Sequence, residues 1–329
     1  MAAGKATRQA FGESLARLGE TNPEIVVLDA DLAKSTKSEI FAKKFPDRFL
    51  EMGISEANMI GAAAGLAFTG KLPFLCSFGC FITGRFDTIR ISAAYSQANI
   101  RIIGTHSGIG IGDDGHSQMG LEDIALMRTL PTMGVFQPMD ARETEHVMDY
   151  LVREWKGPAY LRLTRQNLPD LFPAGAKFEP LKLFEVKPAP QSGSLEVVCI
   201  GTGSGTAEGV QAADLLAAQG IRMSVWNAHS LKPFDDARTR ELARKAKLIV
   251  TVEDHSVIGG LGSCVAEAIS KLDRHAPLLR LGVQDRFGES GVAEELYEEF
   301  GFSSKQIAKR VAASLKEGVH AGLAGFKTQ

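Results

Sequence analysis

Short, almost wholly apolar runs recur along this chain, separated by longer stretches with helical patterning. In the first half they are EIVVLDA (24–30), LPFLCSF (72–78), IRIIGTH (100–106), MGVFQP (133–138) and AYLRLT (159–164). A strand wetted on one face alternates apolar with polar residues, whereas one that is apolar throughout is covered on both faces. Helices crossing over between parallel strands supply that cover. Helical patterns fall between the runs, near 56–69, 84–97, 119–130 and 140–153. The alternation pauses at 166–194, which holds five of the 13 prolines. Proline fixes φ and removes a backbone donor, so this stretch reads as a linker. Strand patterns then resume at LEVVCIG (195–201), IRMSVW (221–226), KLIVTVE (247–253) and PLLRLG (277–282), with helices near 206–219, 235–245, 260–272, 291–300 and 303–315. The expected architecture is α/β: two doubly wound domains with mostly parallel sheets, 1–165 and 195–329, joined by the proline-rich linker 166–194. At ~100–200 residues per domain, 329 residues accommodate both.

Charge narrows the function classes. Thirty-seven Lys+Arg against 39 Asp+Glu leave a net charge of −2, with no basic tail, so the electrostatic footprint of a nucleic-acid binder is missing. The most apolar window, Met59–Phe68, is far shorter than the ~20 residues of a membrane span, and the first residues lack the apolar centre of a signal peptide. Four cysteines, Cys76, Cys80, Cys199 and Cys264, sit in apolar contexts without the spacing of a zinc site. Reduced thiols in the cytoplasm are the expectation.

Several motifs bear on chemistry. Gly201-Thr-Gly203-Ser-Gly205 joins a strand to a helix, but Thr206 stands where a dinucleotide fingerprint needs its third glycine, and Trp226 and Asn227 stand where it needs an acid. A tight turn explains it. Gly259, Gly260 and Gly262 are likewise explained by close backbone packing. Glu56 opens a helix of very small residues, where the dipole favours a carboxylate. Taken alone, it reads as a solvated helix-start acid rather than a functional one. Phe78 and Phe81 follow a strand end, as core or as a stacking platform. The densest polar segment is Thr105–Gln118, with glycines at 108, 110, 112 and 115. Its expected flexibility exceeds what packing asks for, which points to a substrate loop. Asp113 and Asp114 are adjacent and do not readily converge on one metal.

These residues together resemble the C-terminal half of the transketolase family, as encoded in a separate chain. The likeness rests on Ala6-Thr7-Arg8, Asp31-Leu32-x-x-Ser35, Ile54-Ser55-Glu56-x-Asn58-Met59, Phe78-x-x-Phe81, Phe86-Asp87-x-Ile89-Arg90, the His106–Gln118 loop and Arg165-Gln166-Asn167-Leu168-Pro169. Seven motifs in order are specific where each alone is weak. The resemblance implies thiamine diphosphate bound between a pyrimidine-binding domain and a diphosphate-binding domain of another chain. The signature of the latter, GDG followed by Asn, has no counterpart here: Gly112-Asp113-Asp114-Gly115 is the nearest string, and the next Asn is Asn167. Ligands for Mg²⁺ and the diphosphate are therefore expected on a partner subunit and none in this chain, which alone should be inactive.

Roles carried over by the resemblance follow residue by residue. Glu56 would hydrogen-bond the pyrimidine ring nitrogen of the cofactor and favour its imino tautomer. Phe78 and Phe81 would wall the pyrimidine, and Asp31 would stand near it. Asp114 would bond a sugar hydroxyl. Arg8, Ser35, His106 and Arg165 would hold a substrate phosphate. Gln118 occupies a substrate position where relatives carry His or Gln, and His116 one where Pro is common. No chemistry is assigned to His255. The implied activity is transfer of a two-carbon ketol unit between sugar phosphates, as in the pentose phosphate pathway, with two copies of each chain. The beta subunit of a 2-oxo acid dehydrogenase is the rival reading, followed by a fragment of 1-deoxyxylulose-phosphate synthase. A non-catalytic scaffold is the rival from outside enzymology.

Overall fold

The computed structural model describes residues 4–190 and 196–326. Residues 191–195, where the sequence reading ends its linker and begins a strand, lie outside that description. Strands of the first half are β1 (Ile25–Asp29), β2 (Phe49–Glu51), β3 (Leu72–Phe78), β4 (Arg101–Thr105), β5 (Gly134–Phe136) and β6 (Ala159–Arg162). Those that follow are β7 (Phe184–Lys187), β8 (Val197–Gly201), β9 (Met223–Asn227), β10 (Ser230–Lys232), β11 (Leu248–Ser256) and β12 (Leu278–Val283). They form two sheets, in the orders β10-β5-β6-β4-β3-β1-β2 and β12-β11-β8-β9-β7. All pairings are parallel except β10 with β5 and β7 with β9. The fold is thus mixed α/β with two mostly parallel sheets.

The long apolar runs became strands, and all but β12, which edges the second sheet, lie inside their sheets with both faces covered. Along β3 and β4, Leu75 and Ile102 face a core shared with Met59 and Ile60 of helix Glu56–Phe68. Their neighbours Phe74 and Ile103 point the other way, against Phe11 and Leu15 of helix Thr7–Thr21. Each fully buried side chain of this size contributes about 1.5–3 kcal/mol. Helix Ala141–Arg153 starts at Asp140, whose Oδ1 accepts from the Glu143 N–H at 2.8 Å while its Oδ2 accepts from Leu171 and Phe172 N–H at 2.6 Å each. One N-cap carboxylate therefore also pins the proline-rich segment to the first domain.

Differences from the sequence reading lie where pattern is weakest. β2 (FLE) and β10 (SLK) are three residues long and each carries a charged residue. β7 lies inside the 166–194 stretch and joins the second sheet antiparallel to β9. β10, from the second half, closes the edge of the first sheet against β5. The pattern near 84–97 resolves into a short turn, Phe86–Thr88, followed by a π-helical segment, Ile89–Tyr95. Helix Thr7–Thr21 and the short Ala33–Thr36 and Glu39–Lys44 were not anticipated. Cys76, Cys199 and Cys264 are buried and Cys80 is half-buried. No described helix is long and apolar enough to cross a membrane.

A wholly buried charge pair sits at the seam between the domains. Arg162 Nε on β6 donates to both Asp123 oxygens at 3.1 and 2.9 Å, and the Tyr160 hydroxyl donates to Asp123 Oδ2 at 2.5 Å. Arg162 Nη2 donates to the carbonyls of Gly120 and, across the seam, Asp254 on β11, both at 2.9 Å. Beside this group, a Cβ at Gly104 would clash with Tyr160, 2.1 Å from its hydroxyl oxygen and 2.7 Å from the ring. That ring is held by its bond to Asp123 and has nowhere to swing. Gly104→Ala should therefore lower stability by about 1–3 kcal/mol through overpacking, read as an earlier urea midpoint. An unchanged midpoint would mean that Tyr160 is not locked.

Candidate active site at the carboxyl edge of the first sheet

In open parallel sheets the loops leaving the carboxyl ends of adjacent strands share one crevice. β4, β3, β1 and β2 are consecutive neighbours, so the segments after them lie side by side. Those segments carry His106, Phe78 with Phe81, Asp31 with Ser35, and Glu56. Arg165 follows β6, the other neighbour of β4. Arg8 arrives in the first turn of helix Thr7–Thr21, because the chain start pairs with that same segment. Ala6 bridges Asn167, and the Thr164 N–H donates to Thr7 Oγ1 at 2.9 Å.

Three rings stack at this edge. Phe81 lies on Phe78 with centroids 5.4 Å apart and planes 15° from parallel, and Phe78 lies on His106 at 3.8 Å and 23°. His106 holds a left-handed φ of 57°, uncommon for a residue with a side chain and the sort of strain that tends to collect at working sites. Arg8 Nη1 is 3.0 Å from His106 Nε2, and Thr105 Oγ1 is 2.8 Å from Nδ1. Guanidinium only donates, so Nε2 accepts and the ring proton sits on Nδ1, donating to Thr105. Burial first, then the charges of Arg8, Arg165 and Lys37, pushes the His106 pKa down to about 3. The ring is neutral and both its nitrogens are engaged.

Arg8 Nη1 also donates to the Ser35 carbonyl at 2.7 Å. The turn thus presents Ser35 to Arg8 through its backbone rather than its hydroxyl. Arg165 Nη1 donates to the Ile111 carbonyl at 2.5 Å. The two guanidinium groups flank a cleft of about 370 Å³, lined also by Gly112, Asp113, Gln166 and Val292. Burial and the charge of Arg165 lower the Arg8 pKa, while Asp114 opposes them. A half-buried pair of like charges is held together by the fold, which suits an anion.

Other expected residues share the edge without bonding to this cluster. Glu56 is 5% exposed, is the first residue of its helix, and has no hydrogen bond or ion pair among the described residues. Beside it, Gly61 and Gly65 are exposed with open space where a Cβ would stand. Ile54, Phe68 and Tyr95 are 83%, 65% and 82% exposed. Asp31 is exposed at a φ of 64°, its N–H donating to Glu51 Oε1 at 2.8 Å. Asp114 is exposed at the end of the helical turn Ile109–Asp114. Gln118 is half-buried, and its carbonyl accepts from Cys80 Sγ at 3.1 Å.

The roles of three residues of the site escaped the sequence reading. Thr105 accepts from His106 Nδ1 in the tautomer that Arg8 imposes. Asp29, at the end of β1, accepts from Thr36 and Ser38 hydroxyls and the Leu32 N–H at 2.7–2.8 Å, and so shapes the turn bearing Ser35. Burial raises its pKa to about 6 against those bonds. An acid ending an apolar run was the available signal. The third, Asp254 of β11, accepts from the backbone of Ile109 and Gly110, a contact between residues nearly half the chain apart.

The His106 geometry makes a pH statement. A folded-state pKa below the usual ~6.5 means the unfolded chain binds the proton more readily. The contribution of His106 to stability is complete above pH ~6.5 and is lost as pH falls toward 3. In a ¹⁵N-resolved NMR titration His106 should stay neutral, protonated on Nδ1, down to pH 5. Titration near 6.5 would contradict the Arg8–His106–Thr105 arrangement.

Comparison with known proteins identifies the relatives of the chain. The family model "Transketolase, pyrimidine binding domain" matches residues 3–170, and "Transketolase, C-terminal domain" matches 190–307. A chain from Methanocaldococcus jannaschii described as a transketolase C-terminal section is 41% identical over 316 residues, 95% of this chain and 97% of that one. The 6-deoxy-6-sulfo-D-fructose transketolase subunit SqwH of Clostridium sp. (strain MSTE9) is 36% identical, over 92% of each chain. A solved split gene transketolase, an inactive beta4 tetramer, superposes with a TM-score of 0.86 at 43% identity, over 95% of this chain and 99% of that one. Against human transketolase, 38% identical, the chain spans 48% of that protein's length. This chain belongs to the transketolase family, as its pyrimidine-binding and C-terminal part.

Proposed function

We propose that this chain is the C-terminal subunit of a thiamine-diphosphate-dependent transketolase that moves a two-carbon ketol unit between sugar phosphates. It would work only when assembled with a subunit that holds the diphosphate and Mg²⁺. The observation that carries the reading is the pairing of Arg8 with Arg165 beside the Phe81–Phe78–His106 stack at one sheet edge. An acyl-transferring 2-oxo acid dehydrogenase has no sugar phosphate to clamp, and a scaffold needs neither the stack nor the arginine pair.

The residues present fit the cofactor's pyrimidine end. Glu56 is 5% exposed and no described residue donates to its carboxylate, which leaves it open to a ring nitrogen that donates. Phe78 and Phe81 offer an apolar wall in which that hydrogen bond is stronger than in water. When bound, thiamine diphosphate supplies the carbon nucleophile that ketol transfer requires. This chain's part is to hold and place. Glu56 keeps a proton on the facing heterocycle. Arg8 and Arg165 fasten the substrate's anionic end, remote from the reacting carbons, so that binding energy there is spent on orientation. His106 keeps the Arg8 fork aimed, and Asp114 bonds a sugar hydroxyl. Ser35 supports Arg8 through its carbonyl, while Asp31 and Gln118 border the cofactor and substrate sides.

Partner dependence is supported by the inactive state named for the split-gene tetramer of this half and by the exposed apolar face next to Glu56. The assembly proposed is two of each chain, acting in sugar-phosphate metabolism in the cytoplasm. A sulfonated sugar is the second reading for the anionic end, favoured by the name of the Clostridium relative. Two guanidinium forks accept a sulfonate as they do a phosphate.

Assembled with its partner, thiamine diphosphate and Mg²⁺, the enzyme should convert xylulose 5-phosphate plus ribose 5-phosphate. Parallel assays with 6-deoxy-6-sulfofructose would separate the two anions. Glu56→Gln should lower kcat by ~10²-fold or more while the assembly's mass by light scattering is unchanged. Full turnover in that variant would refute the assigned role. Arg165→Ala should reduce kcat/KM for phosphorylated substrates by ~10–100-fold, the worth of a charge-assisted bond, and spare unphosphorylated ones. An equal loss for both would remove the clamp.

A further inference from the structure

The glycine-rich segment 108–115 is held by the second domain at every glycine. Gly108, with a φ of 91°, packs on the Asp254 carboxylate, and a Cβ at Gly110 would run into Gln166 and the Tyr297 hydroxyl. Gly112 (φ 80°) leaves 3.1 Å between its absent Cβ and the Gly291 carbonyl, and Gly115 (φ 82°) abuts Ser290. Beneath them Asp254, fully buried, accepts from the Ile109 N–H at 2.7 Å through Oδ1 and from the Gly110 N–H at 3.1 Å through Oδ2. Successive N–H groups turned toward one carboxylate make a two-pronged anchor. The Tyr297 hydroxyl donates to Oδ2 at 2.8 Å and accepts from Gln166 Nε2 at 2.8 Å. Gln166 adjoins Arg165, and Arg165 grips the carbonyl of Ile111 in the same segment.

We propose that Asp254 is a positioning residue of the active site. From the second domain, its carboxylate sets the 108–115 segment in the shape that closes the Arg8–Arg165 cleft and places Asp114. The inference rests on the transketolase reading for its catalytic half and gives the second domain a task beyond packing. It also explains why a segment with so many glycines is ordered by contact: each missing side chain is where the second domain, or the strap leading to it, comes close.

The test combines hydrogen exchange on the isolated chain with kinetics of the assembled enzyme. Loss of hydrogen bonds to a charged group is worth a factor of about 10–100. In Asp254→Ala, amide exchange of peptides spanning Ile109 and Gly110 should rise by about that factor. The kcat/KM for a phosphorylated ketose should fall by a similar one, while affinity for thiamine diphosphate stays within about twofold, because Glu56 and Phe78 are untouched. Asp254→Asn keeps one acceptor oxygen and should recover part of both losses. It carries the test if the alanine variant fails to fold. A purely structural staple would lower the melting temperature yet leave kcat/KM at 25 °C intact, and that result overturns the proposal. Unchanged exchange at Ile109 and Gly110 overturns it as well. Absence of ketol transfer by the unaltered complex refutes the transketolase reading and the catalytic half with it, while the exchange data still decide whether the anchor exists.

Discussion

Arg162 is a charged side chain with no access to water, and the arrangement of both domains follows from the groups it must satisfy. Its guanidinium bonds Asp123 in the first domain and backbone carbonyls on both sides of the seam, Gly120 and Asp254. Removing one member of such a buried pair is destabilising by about 3–5 kcal/mol, because the other charge is stranded. The demand fixes β6 against β11, and that fixed distance lets the Asp254 side chain meet the Ile109 and Gly110 amides. The electrostatics of the seam and the shape of the candidate active site are one constraint.

A second consequence concerns sign. Three cations, Arg8, Arg165 and Lys37, act on His106, and burial acts in the same direction. The imidazole is kept neutral and becomes an acceptor for Arg8, so positive charge is concentrated on the two guanidinium groups that border the cleft. The Phe78 ring lying on His106 removes water from one side and strengthens each remaining interaction. On the proposed reading this concentrates attraction at the substrate's anionic end and leaves the other side of the edge, around Glu56, for the cofactor.

That other side carries exposed apolar side chains. Helix Glu56–Phe68 packs on the π-helical segment Ile89–Tyr95, and together they expose Ile54, Phe68, Ile91 and Tyr95 next to glycines with open space above them. Small residues permit close backbone approach, and large apolar ones give an approaching surface something to bury. Glu56, whose carboxylate has no donor among the described residues, stands at the start of that helix, in keeping with the proposal that a second polypeptide completes the site.

Much of this was legible in the linear chain. Short apolar runs rich in β-branched residues, spaced by helical patterns, read as strands covered on two sides, so the parallel α/β architecture and its central strands were legible in the order of residues alone. The motif residues fell at strand ends for the same reason: a parallel sheet sends its functional side chains to one edge. Strands β2 (FLE), β7 (FEVK) and β10 (SLK) were not legible, since each is short and broken by charged residues, and their pairing depends on which edge lies open. The roles of Ser35 and of the 108–115 glycines also needed the third dimension. A sequence does not say whether a serine offers its hydroxyl or its carbonyl, and it reads glycine as freedom where packing uses it as room. Most of all, the bond from Asp254 to Ile109 joins residues 145 apart in the chain. Only the docking of two sheets around a buried arginine brings them together, because the energy that selects that contact belongs to the seam and to neither segment alone.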